Sequence, residues 1–202
     1  MKKMLIVAAL GLLTMGTVAA QQSPWLVRAR AVNLDMANKD ATGLGMGVKN
    51  KTTSEFDVSY FLNNNVAAEL VLSQPQTQSV TANGSDIGSF KSLSPTLMLQ
   101  YHFTDVAGIK PYLGSGLSYV HITSADLSKG AAALGVNSVG LDDHNIGLAY
   151  QVGADVSLNK SWSINVDLKK IYMKTHVYTA GADKGILKLD PVVMGVGVGY
   201  RF

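Results

Sequence analysis

Apolar and polar residues alternate with period two along most of this chain. Around Glu55 the apolar positions are Phe56, Val58 and Tyr60, with Asp57 and Ser59 between them. Leu93, Leu97, Leu99, Tyr101 and Phe103 alternate with Ser94, Thr96, Gln100 and His102, and Met98 is the exception. Ile146 to Val156 and Trp162 to Leu168 repeat the pattern. Successive side chains of a strand point to opposite faces, so each segment has one apolar face and one polar or small face. Eight strands are expected, at about 24–34, 51–62, 65–73, 92–103, 109–121, 144–157, 161–175 and 186–202.

The connections alternate in length. Residues 63–65, 104–108 and 158–160 are short turns. Residues 35–50, 74–91, 122–143 and 176–185 are long and rich in Gly, Ser, Thr, Asn and Asp, with a short helix expected over 124–134. Short turns on one side and long loops on the other are the layout of an outer-membrane barrel. The expected fold is therefore all-β, an eight-stranded antiparallel transmembrane β-barrel with its short turns in the periplasm.

A soluble up-and-down barrel would also alternate, with its apolar face inward. Three features favour the inverted arrangement. Gly114, Gly116, Gly195, Gly197 and Gly199 share parity with polar and charged residues, and eight strands leave an interior barely wide enough for side chains. The predicted lumen set is Arg28, Arg30, Glu55, Asp57, Glu69, Gln100, His102, Asp155, Asp167, Lys169 and Arg201. Its charges nearly balance, as a core poor in water requires. Finally, Trp25, Tyr60, Phe61, Tyr101, Phe103, Tyr112, Trp162, Tyr200 and Phe202 gather near the turn side, where an interfacial girdle belongs. Lys170 and Lys174 break the pattern. They point at lipid unless a bulge near Lys169-Lys170, or a height above the apolar band, removes them from it.

The N-terminus adds a compartment. Lys2 and Lys3 precede an apolar run from Met4 to about Leu13, followed by small residues ending Val18-Ala19-Ala20. That is the layout of a secretory signal, too short for a spanning helix. The expected division is 1–20 signal peptide and 21–202 barrel, with Gln21 as the first mature residue. The formal charge of +3 counts 17 basic against 14 acidic residues; without Lys2 and Lys3 it falls to 15 against 14, or +1. No basic cluster with interleaved aromatics occurs, so nucleic acid is excluded as a partner. There is no cysteine, hence no disulfide framework or thiolate metal site.

The last residues, Val192-Val193-Met194-Gly195-Val196-Gly197-Val198-Gly199-Tyr200-Arg201-Phe202, end in Phe202 with Tyr200, Val198 and Val196 at alternate places. This looks like the terminal strand signal read by the outer-membrane assembly machinery. Other segments resemble the OmpW family of small outer-membrane proteins. They are residues 25–31 (Trp-Leu-Val-Arg-Ala-Arg-Ala), 93–97 (Leu-Ser-Pro-Thr-Leu), 99–103 (Leu-Gln-Tyr-His-Phe) and 109–117, which begins Ile109-Lys110-Pro111-Tyr112. Lys169-Lys170-Ile171 and Lys188-Leu189-Asp190-Pro191 belong with them. The matches keep their order and span nearly the whole mature chain. Where that family commonly has two prolines, this chain has Ser94-Pro95.

The resemblance implies a barrel whose lumen is largely apolar near its outer half, admitting small hydrophobic molecules and releasing them sideways into the membrane. Carried over by position, Pro95 interrupts the fourth strand near its outer end, as a lateral opening or as a bulge without a transport role. Val71 and Met98 share the inward face and are the expected lining of an apolar pocket above the charged plug. Expected partners are outer-membrane lipid and lipopolysaccharide, the assembly machinery and small hydrophobic solutes; a monomer without cofactor is expected. The alternative is a structural or interaction protein whose outer loops bind colicin, phage or host surfaces.

Other constellations carry less. The glycine series at 43–47 and 195–199 lack dinucleotide-binding spacing and a following helix. His102, His121, His144 and His176 lie on separate segments without metal-ligand spacing, so no metal is expected; the last three fall near the outer rim, where a loose divalent or lipopolysaccharide contact is the alternative to solvated loop histidines. A lipid A deacylase needs a serine, a histidine and a carboxylate on the outer lipid-facing side. His102 has the wrong parity and the wrong end, so no catalytic residue is assigned.

Overall fold

The computed structural model describes residues 23–202. The expected signal segment and its expected cleavage site lie outside the described residues. In chain order the strands are β1 (Trp25–Asp35), β2 (Lys39–Asp40), β3 (Met46–Val48), β4 (Lys51–Phe61), β5 (Val66–Ser73), β6 (Gln76–Ala82), β7 (Ser85–Leu93), β8 (Thr96–His102) and β9 (Ile109–Asp126). After helix α1 (Ser128–Leu134) come β10 (Val139–Leu141), β11 (His144–Ser157), β12 (Trp162–Tyr172), β13 (Lys174–Thr179), β14 (Ala182–Lys188) and β15 (Val192–Arg201). The order β11-β12-β15-β1-β4-β5-β8-β9, closed by the pairing of β9 with β11, is an eight-stranded antiparallel barrel. Closure leaves no sheet edge, which lipid would not tolerate.

Three turns close one end, and side-chain acceptors hold them. Asn63 Oδ1 accepts from the N–H groups of Asn65 and Val66, and Asn159 Oδ1 from those of Ser161 and Trp162. Asp105 Oδ1 accepts from Gly108, whose φ is +84°. Asn and Asp favour such turns because their side chains bond backbone groups two or three residues on.

The other end is more ordered than its composition suggests. The expected loops contain strands. β6 and β7 form a hairpin at Asn83-Gly84, both left-handed (φ +47° and +80°), as a two-residue turn of the primed type requires. That hairpin pairs with the outer part of β9 and with β3. β13 and β14 form a second hairpin at Ala180-Gly181, flanked by β10 and β2. The extensions keep strict alternation: Gln76, Gln78, Val80 and Ala82 are buried, and so are Thr175, Val177 and Thr179. Ser, Thr and Gln at these positions disguised them as loop.

Three expected strands are in fact two each. Residues 92–103 break at Ser94-Pro95, 161–175 break at Met173, and 186–202 break over 189–191. The breaks separate the membrane barrel from its outer extension. The expected helix is shorter, Ser128–Leu134, and lies against β7.

The outward face between the two ends is apolar. Leu97 is 60% exposed and Ile146 67%, while Glu69 is fully buried. So large an exposed apolar band marks a lipid-facing surface. At the turn side, Trp25 meets Tyr60 and Trp162 meets Tyr200 in edge contacts at 4.8 and 4.9 Å. Tyr200 and Phe202, the expected assembly signal together with Val196 and Val198, lie in this girdle. Two residues expected there face inward instead. Phe61 is buried against His102, and Tyr112 lies in the lumen. Tyr112 shares parity with Gly114 and Gly116, so alternation already placed it inside. Lys170 does face outward, without a bulge, since register runs regularly through it. It reaches up to the Asp190 carbonyl and lies over the Tyr172 ring, burying its stem and lifting its charge.

Candidate functional site

The lumen is stacked in layers. At mid-height is a charged plug centred on two arginines of β1. Arg28 Nη2 pairs with Asp155 Oδ2 at 2.7 Å, and Nη1 donates to Asp57 and Ser59, each at 3.1 Å. Arg30 Nη2 lies 2.6 Å from Asp57 Oδ2 and 3.2 Å from both Glu55 and Glu69. Lys169 pairs with Glu55 at 2.9 Å. Every one of these side chains is buried.

Neutral groups complete the network. Tyr112 Oη donates to Asp167 Oδ2 at 3.0 Å, and Gln151 Nε2 donates to the same oxygen at 2.7 Å. Asn165 Nδ2 donates to Tyr112 Oη and to Asp155. Gln100 Nε2 donates to Gln151 at 3.1 Å, and His102 Nε2 lies 2.9 Å from Gln100 Oε1. Five buried carboxylates thus face three buried cations, and the neutral donors add hydrogen bonds to Asp155 and Asp167 beside those cations.

Seven strands supply plug side chains, and β15 supplies space. A Cβ at Gly197 would lie 2.7 Å from Arg30 Cγ and 2.0 Å from the Ala29 carbonyl. A Cβ at Gly153 would fall 2.4 Å from the Tyr112 ring. Glycine and charge therefore share parity because long plug side chains lie across bare backbone.

Arg201 is not part of this network. It is half-buried at the turn-side mouth, where Nε donates to the Ser23 carbonyl at 3.0 Å and the guanidinium stacks 4.0 Å from the Phe61 ring. Position 201 is simply too close to the strand end to reach mid-lumen. A vestibule of about 1170 Å³, lined by polar turns and Arg201, opens beneath the plug.

Above the plug lies an apolar layer of Val32, Val71, Met98, Ala149, Ile171 and Val193. Val71 and Met98 fill this layer and do not line the cavity above it, a correction to the expected pocket lining. They are packed solid by neighbours from other strands. The cavity itself, about 80 Å³, lies higher, among Leu34, Val48, Val80, Phe90, Val120 and Leu187, with Ile171 at its floor. Gln78 also lines it, and the Gln78 Oε1 atom is buried without a hydrogen-bond partner among the described residues. Val48, Gln78, Val80 and Phe90 in this lining come from segments read as loops, where a buried alternation of Gln and Val was the overlooked signal.

One side of this level lacks a ladder. β5 and β8 pair up to Val71↔Thr96, and β6 and β7 resume at Gln76↔Ser92. Between these pairs, residues 72–75 and 93–95 are not register partners of one another, although Leu72 and Ser73 still pair with β4 and Leu93 with β9. Pro75 and Pro95 stand on the two sides of the break, and neither has an N–H to donate. Pro95 stays tied to β9 through its carbonyl, which accepts from Tyr119 at 2.9 Å. Ser92 and Ser94 line the cavity and also flank the break. Pro75 was missed in the sequence because it sat inside an expected loop.

Among the described residues no group of three or more His, Cys, Asp or Glu is arranged to hold a metal ion. His121 and His144 are register partners on the outward face near the outer rim. His176 pairs with Asp183 at 2.9 Å on the outer sheet.

An apolar outer face, a charged interior and a closed eight-stranded sheet define a transmembrane β-barrel of the outer membrane. The chain belongs to the OmpW family, whose model matches residues 15–202. It is similar to the uncharacterized outer-membrane protein y4mB of Sinorhizobium fredii, 36% identical over 196 residues that cover 92% of this chain and 82% of that one. It is also similar to the dibenzothiophene metabolism operon protein PahQ of Pseudomonas aeruginosa, 24% identical over 198 residues, 91% of this chain and 90% of that one. The crystal structure of the outer membrane protein OprG from Pseudomonas aeruginosa shares the fold, with a TM-score of 0.76 at 24% identity, covering 90% of this chain and 97% of that one.

Proposed function

We propose that the protein takes up small hydrophobic molecules passively, from the outer mouth into the apolar cavity and then sideways into the membrane through the break between Pro75 and Pro95. The observation that carries this reading is the position of the break: it adjoins the cavity, and beneath both lie first the packed apolar layer and then the charged plug. An apolar solute gains nothing by crossing buried ion pairs into water, whereas moving into lipid keeps it out of water. The name of PahQ ties that relative to dibenzothiophene metabolism, and dibenzothiophene is itself an apolar aromatic. At about 80 Å³ the cavity is well below the roughly 300 Å³ at which ligand pockets begin. Passage of a multi-ring solute therefore requires the outer hairpins to part. Passive passage needs no catalytic group, and the proposal assigns none.

The test is uptake of a labelled aromatic hydrocarbon by cells lacking the protein and by the same cells carrying it. The deletion strain should take up the solute several-fold more slowly, with full recovery on complementation. Equal rates in both strains would remove the transport reading. Val196, Val198, Tyr200 and Phe202 are proposed separately as the strand read by the assembly machinery, on the strength of their alternation and terminal aromatic.

A further inference from the structure

Pairing in the outer sheet puts three lysines side by side. Lys174 of β13 is the register partner of Lys188 of β14, and Lys188 is the partner of Lys39 of β2. Neighbouring strands lie about 4.8 Å apart, so the three stems rise from backbone spanning roughly 10 Å. All three are exposed, and register partners share a face. Their burial neighbours fix that face as the outer one: Thr175, Leu187 and Leu189 are buried and point inward. Like charges directly opposite one another destabilise a sheet. Among the described residues none of the three forms an ion pair or a side-chain hydrogen bond.

The nearby carboxylates are committed elsewhere. Asp190 accepts the Met173 N–H, Asp183 pairs with His176, Asp142 accepts from Tyr178 and from the His176 N–H, and Asp35 accepts from Asn50. Burial of Asp40 pushes its carboxyl up, but hydrogen bonds from the Thr42 hydroxyl and from the amides of Thr42 and Met46 outweigh it and hold the carboxyl below the ordinary range. It stays a turn-forming anion, held within its own loop.

Height settles what the row meets. From Trp162 in the turn-side girdle to Lys174 the chain advances twelve residues. At about 3.3 Å per residue and a tilt near 40°, that is a rise of roughly 30 Å, just above an apolar band of about 25 Å. Tyr172, paired edge-on with Tyr150, lies immediately below Lys174 on the same face, and Lys170 reaches upward beside it. Cation clusters just beyond a membrane-spanning segment recognise anionic lipid headgroups.

We propose that Lys39, Lys174 and Lys188 form a binding site for the phosphate groups of the outer leaflet's phosphorylated glycolipid, with its acyl chains lying along the apolar face below Tyr172. The occupant is a lipid, because the row lies at headgroup height directly above that apolar face. The three exposed lysine side chains stand on the outer face of the sheet, and of them Lys174 also borders the cavity proposed for the solute.

The test uses the full barrel in phosphatidylcholine nanodiscs with or without bisphosphorylated lipid A, read by native mass spectrometry. Wild type should retain lipid A, and the triple variant Lys39→Gln, Lys174→Gln, Lys188→Gln should retain at least 10-fold less. Lipid A stripped of both phosphates should not be retained by either. Equal retention by wild type and variant overturns the proposal. Displacement of lipid A by millimolar inorganic pyrophosphate would assign the site to free phosphate instead and overturn the lipid. A second readout holds even if the triple variant fails to fold. Lys188→Gln alone should raise the urea midpoint of the barrel in phosphatidylcholine, by relieving repulsion, and lower it once lipid A is present. Shifts of the same sign in both membranes contradict a phosphate ligand.

Discussion

Replacing Arg28 with methionine should destabilise the barrel by about 3–5 kcal/mol, the usual result of removing one partner from a buried ion cluster. The guanidinium is the shared partner of Asp57, Glu69 and Asp155, and it also donates to Ser59. Methionine fills similar volume but leaves Asp155 without a cation and Asp57 and Glu69 with Arg30 alone. Urea unfolding in phospholipid vesicles reads the loss directly. Adding Asp155→Asn to the same chain should recover part of it, because one of the stranded charges is then removed. Arg201→Met is the matched control. Its guanidinium is half-buried at the mouth and meets a carbonyl and a ring, so its loss should be far smaller. An Arg28→Met barrel within about 1 kcal/mol of wild type would mean that the plug is hydrated and does not seal the lumen.

The second large effect belongs to the outer face. Val166 points outward on β12, between its register partners Ala154 and Val196. Four residues above Trp162, it sits roughly 10 Å up a band of about 25 Å, close to the midplane. Val166→Arg should therefore cost about 2–4 kcal/mol in a bilayer. Lys170, two pleat repeats higher, shows how the chain tolerates a cation on the same face: it lies beside a tyrosine and reaches a carbonyl above it. Arginine at 166 has no such exit. Equal stability of Val166→Arg and wild type would invert the assignment of faces.

Much of this architecture was legible in the sequence because lipid and lumen impose opposite demands on alternate residues. Phe56, Val58 and Tyr60 cannot share a face with Glu55 and Asp57 in any strand, so the faces separate without tertiary information. Tyr112 shows the limit of reading by residue type: its ring suggested a girdle, while its parity placed it in the lumen, where its hydroxyl bonds Asp167. The outer extension was hidden for a different reason. Gln76, Gln78, Thr175 and Thr179 are buried although polar, so the strands carrying them lack the apolar stripe by which half-buried strands are recognised. Register between distant segments is not written locally at all. Lys39 lies in a two-residue strand nearly 150 positions from Lys188, and only the closed sheet brings them together. The same holds for Pro75 and Pro95, which stand on opposite arms of one break although twenty positions separate them.

That break is the centre of the functional account, and a reversible crosslink across it is the most direct test. The chain contains no cysteine, so Ser73→Cys with Ser94→Cys creates a single pair, one on each arm of the gap. Cells carrying this variant should take up an aromatic hydrocarbon at the wild-type rate when the pair is reduced. When it is crosslinked, uptake should fall to the rate of the deletion strain. Full uptake through the crosslinked barrel would contradict lateral release and return the route to the lumen.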